Sequence, residues 1–189
     1  MIGSITYFTG PMACGKTLEL VRHLQIYAEQ RVPTICLRPS IDSRSEDIRS
    51  RSGLSYSGVT VAPDDVETIK KHITDHHVIG IDESQFFSPL IIPALTEGFR
   101  NGKIILISGL DSDFRGTLFE TSAQLLAIPE TNIQRSKAVC AVCRQHNATR
   151  TQRLINGNPA PIDSPAIAVE GSDEEITYEP RCVEHHQIG

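Results

Sequence analysis

No apolar run in this 189-residue chain approaches the ~18 residues that a membrane-spanning helix needs. The opening residues MIGSITYF have neither a basic region nor the cleavage site of an export signal. These absences predict a soluble, non-exported, cytoplasmic protein without a membrane partner. An excess of basic residues is also missing: Lys and Arg number 18 against 23 Asp and Glu, a formal charge of -5. DNA or RNA would be repelled, so nucleic acid is not an expected partner, although a local basic cleft for one small phosphate ligand is compatible with that balance. Internal repeats and low-complexity tracts are absent. The five cysteines make no even secreted framework, with Cys14 and Cys36 isolated and Cys140, Cys143 and Cys182 gathered late in the chain. In a reducing compartment such clustering points to metal, not disulfides.

What is present is ordinary globular material, 39% hydrophobic and 22% charged, long enough for one full domain and a small appendage. Residues 2–9 read as a buried strand ending at Gly10, and residues 16–30 as a helix, with Leu18, Val21, Leu24 and Ile26 at helical spacing. Strands follow at 32–37, 77–81 and 103–108, with helices at 64–75 and 89–101. Repeated β-α units predict an α/β fold, a mostly parallel sheet with helices on both faces. Residues 40–57, polar and aperiodic, read as a long functional or mobile loop. Near residue 137 the composition changes: cysteine pairs appear, helical periodicity fades, and residues 156–165 become rich in Gly, Pro and Asn. A boundary there divides the chain into 1–137 and 138–189.

Gly10-Pro11-Met12-Ala13-Cys14-Gly15-Lys16-Thr17 matches G-x-x-x-x-G-K-[ST] between a strand and a helix, the context that a phosphate loop requires. Its backbone N–H groups and the helix N-terminus supply positive potential, Lys16 reaches terminal phosphates, and the Thr17 hydroxyl is available to Mg²⁺. The strand 77–81 ends in Asp82-Glu83, at the edge where ligands of parallel sheets bind. Asp82 is placed to orient Mg²⁺ and Glu83 to act as general base on whatever attacks the γ-phosphate. Attack by water would make an NTP hydrolase, and attack by a bound hydroxyl a kinase. A third reading is a zinc-ribbon regulator that senses nucleotide. Cys140-x-x-Cys143 and Cys182-x-x-His185 form two short knuckles, each able to fill two corners of a tetrahedron, so structural zinc is the expected occupant. His186 is an alternative fourth ligand, but His185 has the matching spacing.

GPMACGKT, RPSIDSR, SRSG, IDESQFF, GLDSDFRG, AVCAVC, ATRTQR and YEPRCVEHH follow one another in an order that resembles the zinc-containing, tetrameric thymidine kinase family over nearly the whole chain. The resemblance implies a P-loop nucleotide-binding kinase domain (1–137) and a zinc-binding lasso domain (138–189). It also implies transfer of the ATP γ-phosphate to the 5′-hydroxyl of thymidine, giving dTMP for nucleotide salvage and DNA synthesis in a homotetramer, with deoxyuridine as a candidate second acceptor. By matching motifs, Glu83 is the expected catalytic base. Residues 10–17 together with Asp42, Arg44, Arg51, Asp82 and Gln85 are expected on Mg-ATP. Met12, Phe86, Leu110, Phe114, Phe119, Thr151, Val169, Gly171 and Tyr178 are expected around the nucleoside.

Three departures from the family pattern stand out. Cys14 replaces the usual Ser in the phosphate loop, and A-x-x-T-x-R (Ala148 to Arg153) begins one residue further from Cys143. The usual V-G-G appears as Val169-Glu170-Gly171, and Asp173-Glu174-Glu175 is inserted before Tyr178. An acidic insertion beside the nucleoside site would bear on substrate range.

Overall fold

The computed structural model describes residues 3–40, 47–49, 53, 55–167 and 175–189. In chain order the elements are β1 (Ser4–Thr9), α1 (Lys16–Glu29), β2 (Thr34–Pro39), β3 (Asp47–Arg49), β4 (Ser55–Ser57), β5 (Val59–Val61), α2 (Val66–Asp75), β6 (Val78–Ile81), α3 (Ile92–Arg100), β7 (Ile104–Gly109), α4 (Glu120–Ala127), β8 (Thr131–Arg135), β9 (Arg150–Ile155), β10 (Asn158–Pro159) and β11 (Ile176–Arg181). Single 3-10 turns at Ser84–Phe86 and Pro89–Ile91 link β6 to α3.

Six strands form one sheet in the order β5-β2-β6-β7-β1-β8, and every pairing in it is parallel. Apolar side chains on its strands alternate between two cores. Phe8, Cys36, Val78 and Leu106 meet Leu20, Val21 and Leu24 of α1 on one face. Ile5, Tyr7, Ile35, Leu37, Ile79, Ile81, Ile105 and Ile107 meet α2, α3 and α4 on the other. Helices therefore cover both faces, and the central strands are near-continuous apolar runs because neither face meets water. Cys36 is fully buried, and burial pushes its thiol well above the ordinary range, as befits a small hydrophobe.

Register brings the functional loops together. Thr9 at the end of β1 lies opposite Gly109 at the end of β7, and Ile81 at the end of β6 lies opposite Ile107. The segments that follow these three strands emerge along one sheet edge, where open α/β folds bind ligands.

Two sequence expectations require correction. Residues 40–57 are not without regular structure: β3 and β4 pair as a short antiparallel ribbon. Three residues a side are too few to show a period. The helix expected over 89–101 begins as a 3-10 turn and becomes α-helical only at Ile92, with Pro93 in its first turn, where a missing N–H costs nothing.

Beyond β8 the chain forms a second, three-stranded antiparallel sheet in the order β10-β9-β11. Its apolar core is a cluster of Ala138, Cys140, Ala148 and Cys182, all small side chains. Burial of so little apolar area cannot offset the entropy of ordering the strands without a further cross-link.

Candidate functional site

The phosphate loop joins β1 to α1. Gly10 has φ +136°, and a Cβ there would stand 2.3 Å from the Ser136 carbonyl oxygen. Gly15 begins α1 with φ +89°. Both positions require glycine, by close approach in the first case and by the left-handed backbone in the second. The Lys16 ammonium folds back over the loop, donating to the Pro11 carbonyl at 2.7 Å and approaching the Cys14 sulfur at 3.7 Å.

Asp82 lies against this loop from β6. Its Oδ1 accepts from the Thr17 hydroxyl at 3.3 Å and from the Ser108 hydroxyl at a shorter distance. Burial first, and the neighbouring Glu83 charge second, raise the Asp82 carboxyl to about 7, against the opposing pull of Ser108, the Glu83 N–H and Thr17. A buried carboxylate and a hydroxyl converging on one point are hard oxygen donors of the kind Mg²⁺ takes.

Glu83 is half-buried and left-handed, with φ 50° and ψ 45°, a strained conformation for a residue bearing a Cβ. Its carboxylate accepts from the Gln85 side-chain N–H at 2.5 Å, while the Gln85 carbonyl oxygen accepts from the Leu110 backbone N–H at 2.9 Å. Gln85, buried and expected from the resemblance on Mg-ATP, is thus directed at Glu83 and Leu110. The Leu110 carbonyl is held in turn by the Tyr7 and Ser122 hydroxyls at 3.1 and 2.7 Å.

The residues expected around the nucleoside arrive from several elements. Phe86 is half-buried in the first 3-10 turn, and Phe119 is half-buried at the start of α4, its N–H donating to the Asp111 carbonyl at 3.1 Å. Phe114 is 2% exposed. Thr151 on β9 accepts from the Met12 N–H at 3.1 Å, which ties the second sheet to the phosphate loop. Tyr178, half-buried on β11, pairs with Arg153 across the strands. Asp42, Arg44, Arg51, Val169 and Gly171 lie outside the described residues.

Several contacts had no sequence signal that singled them out. Ser108 is the penultimate residue of the otherwise apolar strand β7, and a hydroxyl in that position is the one hint that it serves Asp82. His186 donates from Nε2 to the Phe114 carbonyl at 2.7 Å, and so is engaged away from the cysteines.

Cys140, Cys143, Cys182 and His185 bring their ligand atoms within 4.8 Å of one another. His185 Nδ1 lies 3.0 Å from the Cys182 sulfur and 3.9 Å from that of Cys140. Tetrahedral zinc with Zn–S of ~2.3 Å and Zn–N of ~2.0 Å would place such atoms roughly 3.5–3.8 Å apart. Within this cluster burial raises the Cys182 thiol, whereas at Cys140 burial is outweighed by the N–H groups of Cys182, Cys143 and Val142, which bring the thiol down to about 6. A Cys₃His set of this size fits zinc.

A parallel α/β sheet with a phosphate loop, a buried aspartate facing that loop and a second acid beside it defines a P-loop nucleotide-binding protein. The sequence model described as thymidine kinase matches residues 3–186, and the chain belongs to the thymidine kinase family. A thymidine kinase of Coprothermobacter proteolyticus is 40% identical over 188 residues, covering 98% of this chain and 91% of its own. One of Pyrobaculum aerophilum is 39% identical over 188 residues, covering 97% of this chain and 98% of its own. Among solved structures, the genome packaging NTPase B204 from Sulfolobus turreted icosahedral virus 2 in complex with ATP-gammaS covers 57% of this chain and 64% of its own at 18% identity and a TM-score of 0.37, too slight a likeness to add to the strand order. Family membership makes the chain an ATP-dependent nucleoside kinase and does not favour the hydrolase or regulator readings. Among the described residues no helix is long and apolar enough to cross a membrane.

Proposed function

We propose that the chain transfers the γ-phosphate of ATP to the 5′-hydroxyl of thymidine, with Glu83 as the base that takes the hydroxyl proton. The observation that carries this assignment is Gln85's grip on the Glu83 carboxylate, directly after the aspartate that meets Thr17. A carboxylate held next in the chain to the aspartate that meets the phosphate loop would be in place to remove the proton of an attacking hydroxyl.

Phosphoryl transfer asks the protein mainly for positioning and charge neutralisation. The loop 10–17 would cradle the triphosphate with its N–H groups, and Lys16 would exchange the Pro11 carbonyl for a terminal phosphate oxygen. Thr17 and Asp82 would hold Mg²⁺, which when bound offsets charge on the phosphates. Arg44 and Arg51 supply further positive charge on the family pattern, and Asp42 belongs to the same segment. The rings of Phe86, Phe114, Phe119 and Tyr178 would give a pyrimidine flat apolar partners, worth about 1–3 kcal/mol per stacked base, and Met12 and Leu110 would add aliphatic contact.

Residues 138–189 serve as a unit stapled by zinc at Cys140, Cys143, Cys182 and His185, which would supply the cross-link that its small core lacks. We extend the reading to a cytoplasmic homotetramer, for which sedimentation gives the test. For the reaction itself, purified protein is assayed with Mg-ATP against each common nucleoside. Thymidine-dependent formation of dTMP supports the assignment, whereas phosphate release that ignores every nucleoside overturns it.

A further inference from the structure

Arg153 is 3% exposed, yet among the described residues no carboxylate pairs with its guanidinium. An unpaired buried cation is costly, so whatever holds it must be specific. Nη1 donates to the Pro165 carbonyl at 2.5 Å and Nη2 to the Ala166 carbonyl at 2.6 Å. The guanidinium carbon lies 4.5 Å from the centre of the Phe114 ring and 5.2 Å from that of Tyr178. Nε has no acceptor. The group therefore stacks on two aromatic rings and straps a stretch of main chain, and each ring comes from a different part of the fold: Phe114 from the loop after β7, Tyr178 from β11.

We propose that Arg153 is a positioning residue for the nucleoside base pocket, holding Phe114, Tyr178 and the Pro165–Ala166 main chain in the arrangement that receives the base. This rests on the thymidine reading above. The base itself is uncharged, so the cation is not there to pair with the ligand's charge. A planar guanidinium can stack on a ring while its edge donates to two carbonyls, and a lysine ammonium cannot reproduce that combination. Phe114 is also fixed from behind through its carbonyl by His186, so loss of Arg153 frees ring orientation and leaves the loop tethered.

The test compares wild type with Arg153→Lys and Arg153→Met as full-length, zinc-loaded protein, measuring KM and kcat for both substrates and zinc content. The expected result is a KM for thymidine raised about tenfold in both variants, with KM for ATP and kcat changed less than about twofold. Lysine failing to rescue is part of the expectation. A thymidine KM unchanged in Arg153→Lys overturns the proposal. So does a parallel rise in both KM values with loss of zinc, which marks a general structural role. Should wild type itself not phosphorylate thymidine, it is the functional reading that fails, a result separable from either of these.

Discussion

The Thr17 hydroxyl meets the Asp82 carboxylate across 3.3 Å, joining the first turn of α1 to the end of β6. One strand, β7, stands between β6 and β1, the strand that leads into the phosphate loop. The contact exists because parallel strands deliver their loops to one edge, and Ser108 from β7 completes it from the side. Phosphate loop and acid pair thus form one charged centre built on three strands.

That centre carries a pH signature. With Asp82 raised to about 7 from an ordinary 3.8, the folded protein resists ionising it. Its contribution to stability is whole below the ordinary value and is lost as pH rises through about 7. Asp82→Asn keeps an acceptor for Thr17 and Ser108 but cannot ionise. In Mg²⁺-free, nucleotide-free protein, its melting temperature relative to wild type should therefore be higher at about pH 8.5 than at about pH 5. Thermal scans at the two pH values check this, and a difference that shrinks toward high pH would contradict it.

Gln85 predicts a separation of activity from stability. Gln85→Leu removes the donor to Glu83 and leaves the Leu110 N–H without its acceptor, so kcat should fall about 10–100-fold and unfolding free energy by about 1–3 kcal/mol. Gln85→Glu keeps the acceptor for Leu110 but sets a carboxylate against Glu83, so it should lose comparable activity with less loss of stability. Urea unfolding and steady-state kinetics on both variants test the pattern.

Zinc should be present at about one ion per chain by elemental analysis. Its removal by a chelator should expose residues 138–189 to protease while leaving the parallel sheet folded, because that sheet has its own two cores. Cys143→Ser should reproduce the effect without chelator. Equal protease resistance with and without metal would count against a structural role.

Much of the nucleotide-binding framework was legible because its physics is local. Gly10, Gly15, Lys16 and Thr17 follow a β-branched, aromatic strand and open an amphipathic helix, and Asp82 interrupts an apolar run where the run ends. The four residues of the Cys₃His cluster declare themselves by spacing. Other parts carry no such period. The edge strand β8 exposes four of its five residues, so no apolar pattern marks it. In β9 the buried stretch is Thr151, Gln152 and Arg153, polar side chains whose partners lie mostly far along the chain, among them Met12, Gln187 and Pro165. Hydrophobic patterning cannot reveal a core of that kind. Likewise Gln85's link to Leu110 depends on the register of β6 on β7, which spacing along the chain does not express.

The most direct test of the account is Glu83→Gln, measured for thymidine phosphorylation and, by calorimetry, for thymidine binding. The amide is nearly isosteric and cannot take a proton from the 5′-hydroxyl. Turnover should fall by about 10²–10⁴-fold with thymidine affinity little changed. Turnover equal to that of wild type would remove Glu83 from the chemistry and with it the kinase mechanism assigned to this site.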